Sequence, residues 1–333
     1  MIFPKYYIGP MSKNVVDCVI EHSQKYSIGL IPSRRQIDYC GGYVNKWDTK
    51  TFSQYLKSKK VLLCRDHGGP KQGLNEDDGV ESFLNDCENL QLIHVDPFKD
   101  STSVYQAAEK TVYYIKLCFL KNSNIVYEVG TEEAIFKYEA SELDWFLNYL
   151  QEHLSEQEYN QIKYAVVQSG TRLNLPTRTN VGNFNNGRLL HFVDVVKSYG
   201  LMSKEHNGDY LIDSFDIETR YDSGLDAINI APEFGQIESE FYLEQCKGSY
   251  LFDVLYEMCY NSGKWKKWIS NVTRVSKEQI IITCCHYILS DKEFIESIKI
   301  HFPNSDKLIQ KKISSKLKLR GQVQLNPFTL NIL

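Results

Sequence analysis

The chain has 333 residues, of which 42% are hydrophobic and 24% charged, and these proportions are typical of a globular protein rather than a disordered one. A formal net charge of -4 argues against a nucleic-acid-binding protein with a strongly basic face, and the absence of any long apolar run argues against a membrane span. The nine cysteines are scattered without a Cys-x-x-Cys pair, and residues 1–5 lack signal-peptide features, so we expect reduced thiols in a cytoplasmic protein.

Eight short apolar runs recur along the chain, each followed by a polar cluster and an amphipathic segment. The runs are residues 6–8, 28–31, 61–64, 92–95, 125–129, 164–167, 201–203 and 227–230. Runs of this length are typical of strands buried on both faces, and the spacing leaves room for a helix after each. The pattern predicts an α/β fold, a (β/α)8 TIM barrel; an open doubly wound sheet is the alternative.

The segments between the runs predict helices. They cover residues 14–20, 49–56, 78–90, 104–120, 141–154, 188–199 and 212–221. Ser141, with Asp144 three residues later, has the spacing of a capping box. Beyond Pro232 the alternation stops: residues 236–259 predict one long helix, and residues 278–288 fit a helix or a strand. We therefore expect a barrel over residues 1–261 and a C-terminal helical appendage over residues 262–333.

Three further segments are predicted to form loops or turns with a possible functional role. Arg34 and Arg35, followed by residues 41–43, resemble a mobile substrate loop, although Gly-Gly is also an ordinary turn. Residues 171–186 form a second candidate lid with two arginines, or a flexible surface loop. The basic, aromatic residues 264–268 fit a contact with an acidic partner, but more often form a solvated face.

Functional residues of a (β/α)8 barrel lie at the carboxyl ends of its strands, and two histidines occupy such positions here. His67 and His206 each follow an apolar run, with a carboxylate nearby. Two imidazoles and one carboxylate around an open position make a catalytic zinc site. Glu132 is the preferred carboxylate and Glu128 the rival; the alternative is a hydrogen-bonded polar rim without metal.

Two carboxylates end neighbouring predicted strands and suit proton transfer. Asp66 and Asp96 could move a proton beside a metal-bound group, with Glu132 as a third candidate. The alternative is that these aspartates form salt bridges to Arg65 or to the Arg34–Arg35 pair. His94 shares a face with Asp96, and we interpret it as a core histidine rather than a ligand.

Further polar residues at the strand ends are candidates for substrate binding. They are Ser33, Arg34, Gln36, Glu128, Gln168, Gly170, Lys204, Asn207, Asp209 and Asn229. Amide and ammonium groups among them suit substrate hydroxyls or a phosphate, and a glycine lets a phosphate approach the backbone. Ordinary polar turns are the alternative.

Several short motifs together resemble a known family. They are Gln36 with Gly41-Gly42-Tyr43, Asp66-His67-x-Gly69-Pro70, Ile93-His94-x-Asp96, Gly130-Thr131-Glu132, Val166-Val167-Gln168-x-Gly170, His206-x-x-Asp209-Tyr210 and Asn229-Ile230-Ala231-Pro232. In this order and at these intervals, over about residues 28–235, the chain resembles the non-catalytic subunit of class II tagatose-bisphosphate aldolase. Residues beyond 262 match that family poorly.

The resemblance implies a function as well as a barrel. Such barrels look like relatives of class II aldolases, in which a strand-end Asp-His pair, here Asp66-His67, supplies proton transfer and a zinc ligand. It implies a ketohexose 6-phosphate 4-epimerase of the fructose 6-phosphate/tagatose 6-phosphate type that works by retro-aldol cleavage and re-addition with a divalent metal, which we expect to be Zn²⁺. The alternatives are a class II aldolase, or a non-catalytic subunit that associates with an aldolase chain. A homo-oligomer fits any of these; no nucleic acid or membrane partner is expected.

Overall fold

The structure is a computed structural model that describes residues 2–73, 76–131, 138–211 and 214–323. Its strands are β1 (Tyr6–Ile8), β2 (Ile28–Leu30), β3 (Cys64–Gly68), β4 (Leu92–Val95), β5 (Val126–Val129), β6 (Ile162–Val167), β7 (Thr171–Asn174), β8 (Thr179–Gly182), β9 (Met202–Glu205) and β10 (Ala227–Ile230). Each of the eight predicted runs overlaps or adjoins a strand of the main sheet.

The main sheet is a closed parallel barrel. Its strand order is β2-β1-β10-β9-β6-β5-β4-β3, with every neighbouring pair parallel. Parallel bridges from Leu30 to Leu63 and from Ser33 to Asp66 join β2 to β3 and close the circle. The predicted (β/α)8 barrel is therefore confirmed, and the open doubly wound sheet is excluded.

The helices follow the predicted alternation. They are α1 (Lys13–Ser23), α2 (Thr49–Leu56), α3 (Val80–Asn89), α4 (Val104–Lys121), α5 (Ala140–His153), α6 (Glu156–Tyr159), α7 (Asn186–Ser198), α8 (Ser214–Asp222), α9 (Pro232–Cys246), α10 (Tyr250–Asn261), α11 (Lys277–Ile288), α12 (Lys292–Ser297) and α13 (Ser305–Val323). None of the helices in the described ranges is long and apolar enough to cross a membrane.

Two local predictions about helices are wrong. The capping box of α5 begins two residues before Ser141, because the Glu142 carboxylate accepts from the backbone N–H of Glu139 at 2.8 Å. The long helix predicted over residues 236–259 is two helices, α9 and α10. It breaks at Gly248, whose φ of +79° lies in the left-handed region that ends helices and that glycine adopts without strain.

The C-terminal helices pack directly on the barrel's helical layer. Helix α11 contacts α9 and α10, and α13 contacts α1. Segment 278–288, open to two interpretations in the sequence, is helical because it buries Ile281, Cys284 and Cys285 against those neighbours. The division into a barrel and an appendage at residue 261 stays a prediction.

Neither predicted lid is a loose loop. In residues 34–44 the backbone N–H of Tyr43 donates to Arg35 O at 3.2 Å. Gly42 packs so closely on Gln36 that a Cβ at this position would lie 2.1 Å from Gln36 O. Residues 171–182 form the antiparallel hairpin β7–β8, which Asn180 ties to the backbone carbonyls of Asn207 and Asp209. Both segments are ordered parts of the fold, because hydrogen bonds and close packing hold their turns in place.

Candidate metal centre and its cleft

Asp66 and His67 lie next to each other at an irregularity in β3. The register between β3 and β4 shifts between Arg65 and Gly68, and His67 has a φ of +45°. In a regular strand consecutive side chains point to opposite faces, whereas a bulge re-aims one of them. Both side chains consequently line one cleft at the carboxyl end of the barrel. A non-glycine residue in the left-handed region is uncommon and is typical of functional sites.

Three imidazoles meet at this point, and each is held through one ring nitrogen. His67 Nδ1 lies 2.7 Å from Asp96 Oδ2, His206 Nε2 lies 2.5 Å from Glu128 Oε1, and His94 Nε2 lies 2.9 Å from Gly130 O. A carbonyl or carboxylate oxygen accepts hydrogen bonds, so these nitrogens carry the protons. The opposite nitrogens are then left with lone pairs.

The three lone-pair nitrogens surround one oxygen of Asp66. His206 Nδ1 is 3.5 Å from Asp66 Oδ1, His67 Nε2 is 3.8 Å from it and His94 Nδ1 is 3.9 Å from it. His94 Nδ1 also accepts from the backbone N–H of His67 at 3.3 Å. Unprotonated nitrogens gathered around a carboxylate are the donor set of a cation site.

The carboxylate behind His206 is fully buried and paired. Glu128 Oε2 lies 2.6 Å from Lys204 Nζ, and neither side chain is exposed. Burial by itself would raise the pKa of Glu128, but the charge of Lys204 and the hydrogen bond from His206 oppose it, and the pKa stays well below its usual range. Glu128 is therefore ionised and fixes the tautomer of His206.

These residues fit a divalent cation. Asp66, His67 and His206 each offer one ligand atom, and the three atoms lie within 4.8 Å of one another. Two donors on one zinc ion are about 3.3 Å apart, so a small closure of the side chains would bring them together. Histidine ligands whose other N–H is donated to a carboxylate are typical of zinc sites.

The cleft above this centre has a volume of about 430 Å³. Nine residues predicted from the sequence for catalysis, metal or substrate binding line it: Ser33, Gln36, Asp66, His67, Asp96, His206, Asn207, Asp209 and Asn229. The two central aspartates are not engaged by the arginines suggested as alternatives. Arg65 pairs with Asp86, and Arg34 pairs with Asp38 and Asp77.

Five other predicted substrate-binding residues do not line the cleft: Arg34, Glu128, Gln168, Gly170 and Lys204. The side chains of Arg34 and Lys204 are 1% and 0% exposed, and each is paired with a carboxylate inside the fold. The Gln168 side chain donates to the backbone carbonyl of Thr131, which does not line the cleft either. Glu132, predicted as a metal ligand and acid–base group, lies outside the described residues.

His94 is the residue that the sequence interpretation undervalued. It is fully buried, as expected of a core histidine, yet its Nδ1 faces the same carboxylate oxygen as the two predicted ligands. Its position two residues before Asp96 was the available signal, because alternate residues of a strand share a face.

Two polar groups in the cleft are unusual. Both polar atoms of the buried Asn229 amide lack a hydrogen-bond partner among the described residues. Asp209 accepts from the backbone N–H groups of Ala231 and Glu233, and burial together with the charge of Glu233 raises its pKa to about 7. The amide is available to a substrate hydroxyl, and the carboxyl changes charge near neutral pH.

Comparison with known proteins supports the fold. No family model and no curated protein matches the chain. Its structure is similar to a probable tagatose 6-phosphate kinase from Sinorhizobium meliloti 1021, with a TM-score of 0.73 and 13% identity over 96% of this chain and 100% of that one. The fold implied by the sequence resemblance is confirmed.

Two further solved structures have the same barrel. The fructuronate-tagaturonate epimerase UxaE from Cohnella laeviribosi matches with a TM-score of 0.60 and 10% identity, over 96% of this chain and 81% of that one. Fructose-bisphosphate aldolase from Campylobacter jejuni matches with a TM-score of 0.58 and 11% identity, over 95% and 89%. At these identities the similarity concerns the fold.

Proposed function

We propose that this chain is a metal-dependent enzyme of ketose phosphates, specifically a ketohexose 6-phosphate 4-epimerase that interconverts sugars of the fructose 6-phosphate/tagatose 6-phosphate type. The observation that carries the proposal is the meeting of His67, His206 and Asp66 at the mouth of the barrel, with each imidazole oriented by a carboxylate. Similar barrels that bear the names of an aldolase and an epimerase support the same chemistry.

His67 Nε2 and His206 Nδ1 would hold the ion, which we expect to be zinc. When bound, a divalent ion polarises the substrate carbonyl and stabilises the negative charge that develops on its oxygen. Asp96 and Glu128 keep the two ligands in the required tautomer and orientation. Glu132 remains the proposed third ligand.

Asp66 is the proposed proton-transfer group. Its carboxylate lies beside the proposed ion position and lines the cleft, where it can take the proton of the C4 hydroxyl. The C3–C4 bond then breaks, C4 becomes an aldehyde, and the electron pair passes to the three-carbon fragment as an enediolate. Rotation of the aldehyde and return of the pair to its other face re-form the bond, and Asp66 gives the proton back.

An epimerase must hold both fragments between cleavage and bond formation. The hairpin β7–β8 and the packed segment 34–44 enclose the cleft, and Arg172 and Leu173 of the hairpin line it. The unpartnered Asn229 amide supplies hydrogen bonds to substrate hydroxyls. Walls of this kind favour an epimerase over an aldolase, which releases its products.

The test is a proton NMR time course of the purified chain with fructose 6-phosphate and Zn²⁺. We expect tagatose 6-phosphate to appear without accumulation of triose products. Steady release of dihydroxyacetone or its phosphate would identify an aldolase instead. Turnover that requires an added aldolase chain would identify a non-catalytic subunit, and either result would overturn the proposal.

A further inference from the structure

The C-terminal segment forms part of the cleft wall. Three of its residues line the cleft that contains His67 and His206: Lys267 at the end of the basic turn of residues 264–267, Trp268 directly after that turn, and Tyr287 of α11. Trp268 Nε1 donates to the Tyr287 hydroxyl at 3.1 Å. These residues lie in the part of the chain whose sequence motifs do not contribute to the family resemblance.

The wall meets the segment that follows β2. The rings of Tyr43 and Tyr287 pack edge to face with centroids 4.8 Å apart, and the backbone N–H of Asn45 donates to Ser290 Oγ at 2.8 Å. Tyr43 in turn holds the backbone of Arg35 through its own N–H. Arg35 and the C-terminal wall are thereby fixed relative to each other.

Two cations from these segments line the same cleft. They are Arg35 and Lys267, and Arg35 makes no ion pair with any residue in the described ranges. Burial raises the pKa of Tyr287 against the opposing hydrogen bond from Trp268 and the smaller effect of the Arg35 charge, while burial and the charge of Lys267 lower the pKa of His286 to about 3. Both positive charges therefore act on adjacent residues of α11.

We propose that Arg35 and Lys267 form a subsite for the anionic group of the substrate, a phosphate or a carboxylate, with Trp268 and Tyr287 packing against the adjoining carbon chain. The inference rests on the proposed function for the identity of the rest of the substrate. A guanidinium and an ammonium from two separate segments suit an oxyanion, because the first offers a planar pair of donors and the second a mobile point charge.

The subsite gives the C-terminal segment a role in specificity. Lys267 is positioned by the turn before it, in which the backbone N–H of Trp268 donates to Trp265 O at 2.9 Å, and by the burial of Ile269. Its neighbours Lys264 and Lys266 belong to the same turn but do not line the cleft. The chain thus provides matched controls one and three residues away.

The test is calorimetric titration of the full chain, with Zn²⁺ present, by glucitol 6-phosphate, glucitol and gluconate. These ligands lack a ketone, so binding is measured without turnover. We expect Arg35→Gln and Lys267→Gln each to weaken binding of glucitol 6-phosphate, or of gluconate if the anion is a carboxylate, by about tenfold or more. Binding of glucitol should not change, and Lys264→Gln and Lys266→Gln should behave as wild type.

Each other outcome has a defined meaning. Unchanged anion binding in both variants, or a loss seen only in Arg172→Gln, would overturn the subsite. Equal weakening of glucitol and of the anions would show a general distortion of the cleft and would also overturn it. If the variants lose binding of the anions but not of glucitol, and the wild-type protein shows no epimerase activity, the result would support the subsite and refute the proposed reaction.

Discussion

Glu128 determines which nitrogen of His206 faces the cleft. Its Oε1 lies 2.5 Å from His206 Nε2, and the imidazole therefore presents Nδ1 to Asp66 Oδ1 at 3.5 Å. Glu128 is itself held by Lys204, whose Nζ also lies 3.5 Å from the centre of the Tyr7 ring. A buried ion pair in the barrel interior thus orients a proposed metal ligand at the barrel mouth.

Removal of either proposed ligand should abolish stoichiometric metal binding. We expect His67→Ala and His206→Ala to lose bound zinc after dialysis against metal-free buffer, because each removes one of two imidazole donors. Inductively coupled plasma mass spectrometry gives the zinc content per chain. His153→Ala is the control, since His153 is exposed and hydrogen-bonds to its own helix. Full zinc content in both ligand variants would refute the assigned centre.

Replacement of the proposed proton-transfer group should slow turnover without emptying the site. Asp66→Asn keeps the shape of the side chain but removes the base, and we expect kcat to fall by roughly 10² to 10⁴. Zinc content should stay at the wild-type level. Asp253→Asn, at an exposed position on α10, serves as the control. A decrease of less than about threefold would assign the proton transfer to another group, whereas loss of zinc would make Asp66 a ligand.

The buried pair Lys204–Glu128 should show strong coupling in stability. Lys204→Met and Glu128→Gln each leave a buried group without its partner, and we expect each to lower the free energy of unfolding by about 3 to 5 kcal/mol. The double variant should lose markedly less than the sum of the two, since it buries no uncompensated charge. Urea unfolding of the four proteins measures the coupling, and additive losses would contradict it.

Glu238 should make the protein less stable as the pH rises from about 4.5 to 7. Burial raises its pKa to about 7, against the opposing hydrogen bonds from Ser12 and Asn14; Asp306 raises the pKa further and Lys299 lowers it. In this pH range the folded state keeps a proton that the unfolded state has released. The protonated Glu238 carboxyl therefore contributes its full stabilisation below the pKa that it has in the unfolded chain. This contribution, about 3 kcal/mol, is lost as the pH rises to 7.

The Glu238→Gln variant isolates this effect. Urea unfolding at pH 5 and pH 8 should show a smaller difference in the variant than in the wild type, because an amide does not titrate. Glu244→Gln, on the same helix but exposed and paired with Lys312, should retain the wild-type difference. Equal pH dependence in wild type and Glu238→Gln would show that the buried carboxyl does not retain its proton.

The sequence by itself determined the barrel. Strands such as Leu92–Val95 and Ala227–Ile230 have the predicted bounds because a strand buried on both faces needs a continuous apolar run. The rule that functional groups follow the carboxyl ends of the strands then selected His67, His206 and Asp66, which the structure brings to one cleft.

Only the tertiary structure decided the roles around these residues. Arg34 and Lys204 were indistinguishable from cleft residues in the sequence, but buried carboxylates hold them inside the fold: Asp38, four residues after Arg34, and Glu128 on another strand for Lys204. The face of His94 followed from its spacing to Asp96, but its contact with the His67 ring accompanies the register shift between β3 and β4, which the local sequence does not encode. Lys267 lines the cleft in a turn that packs against α10 and α11, and the sequence alone does not show where this packing places the turn.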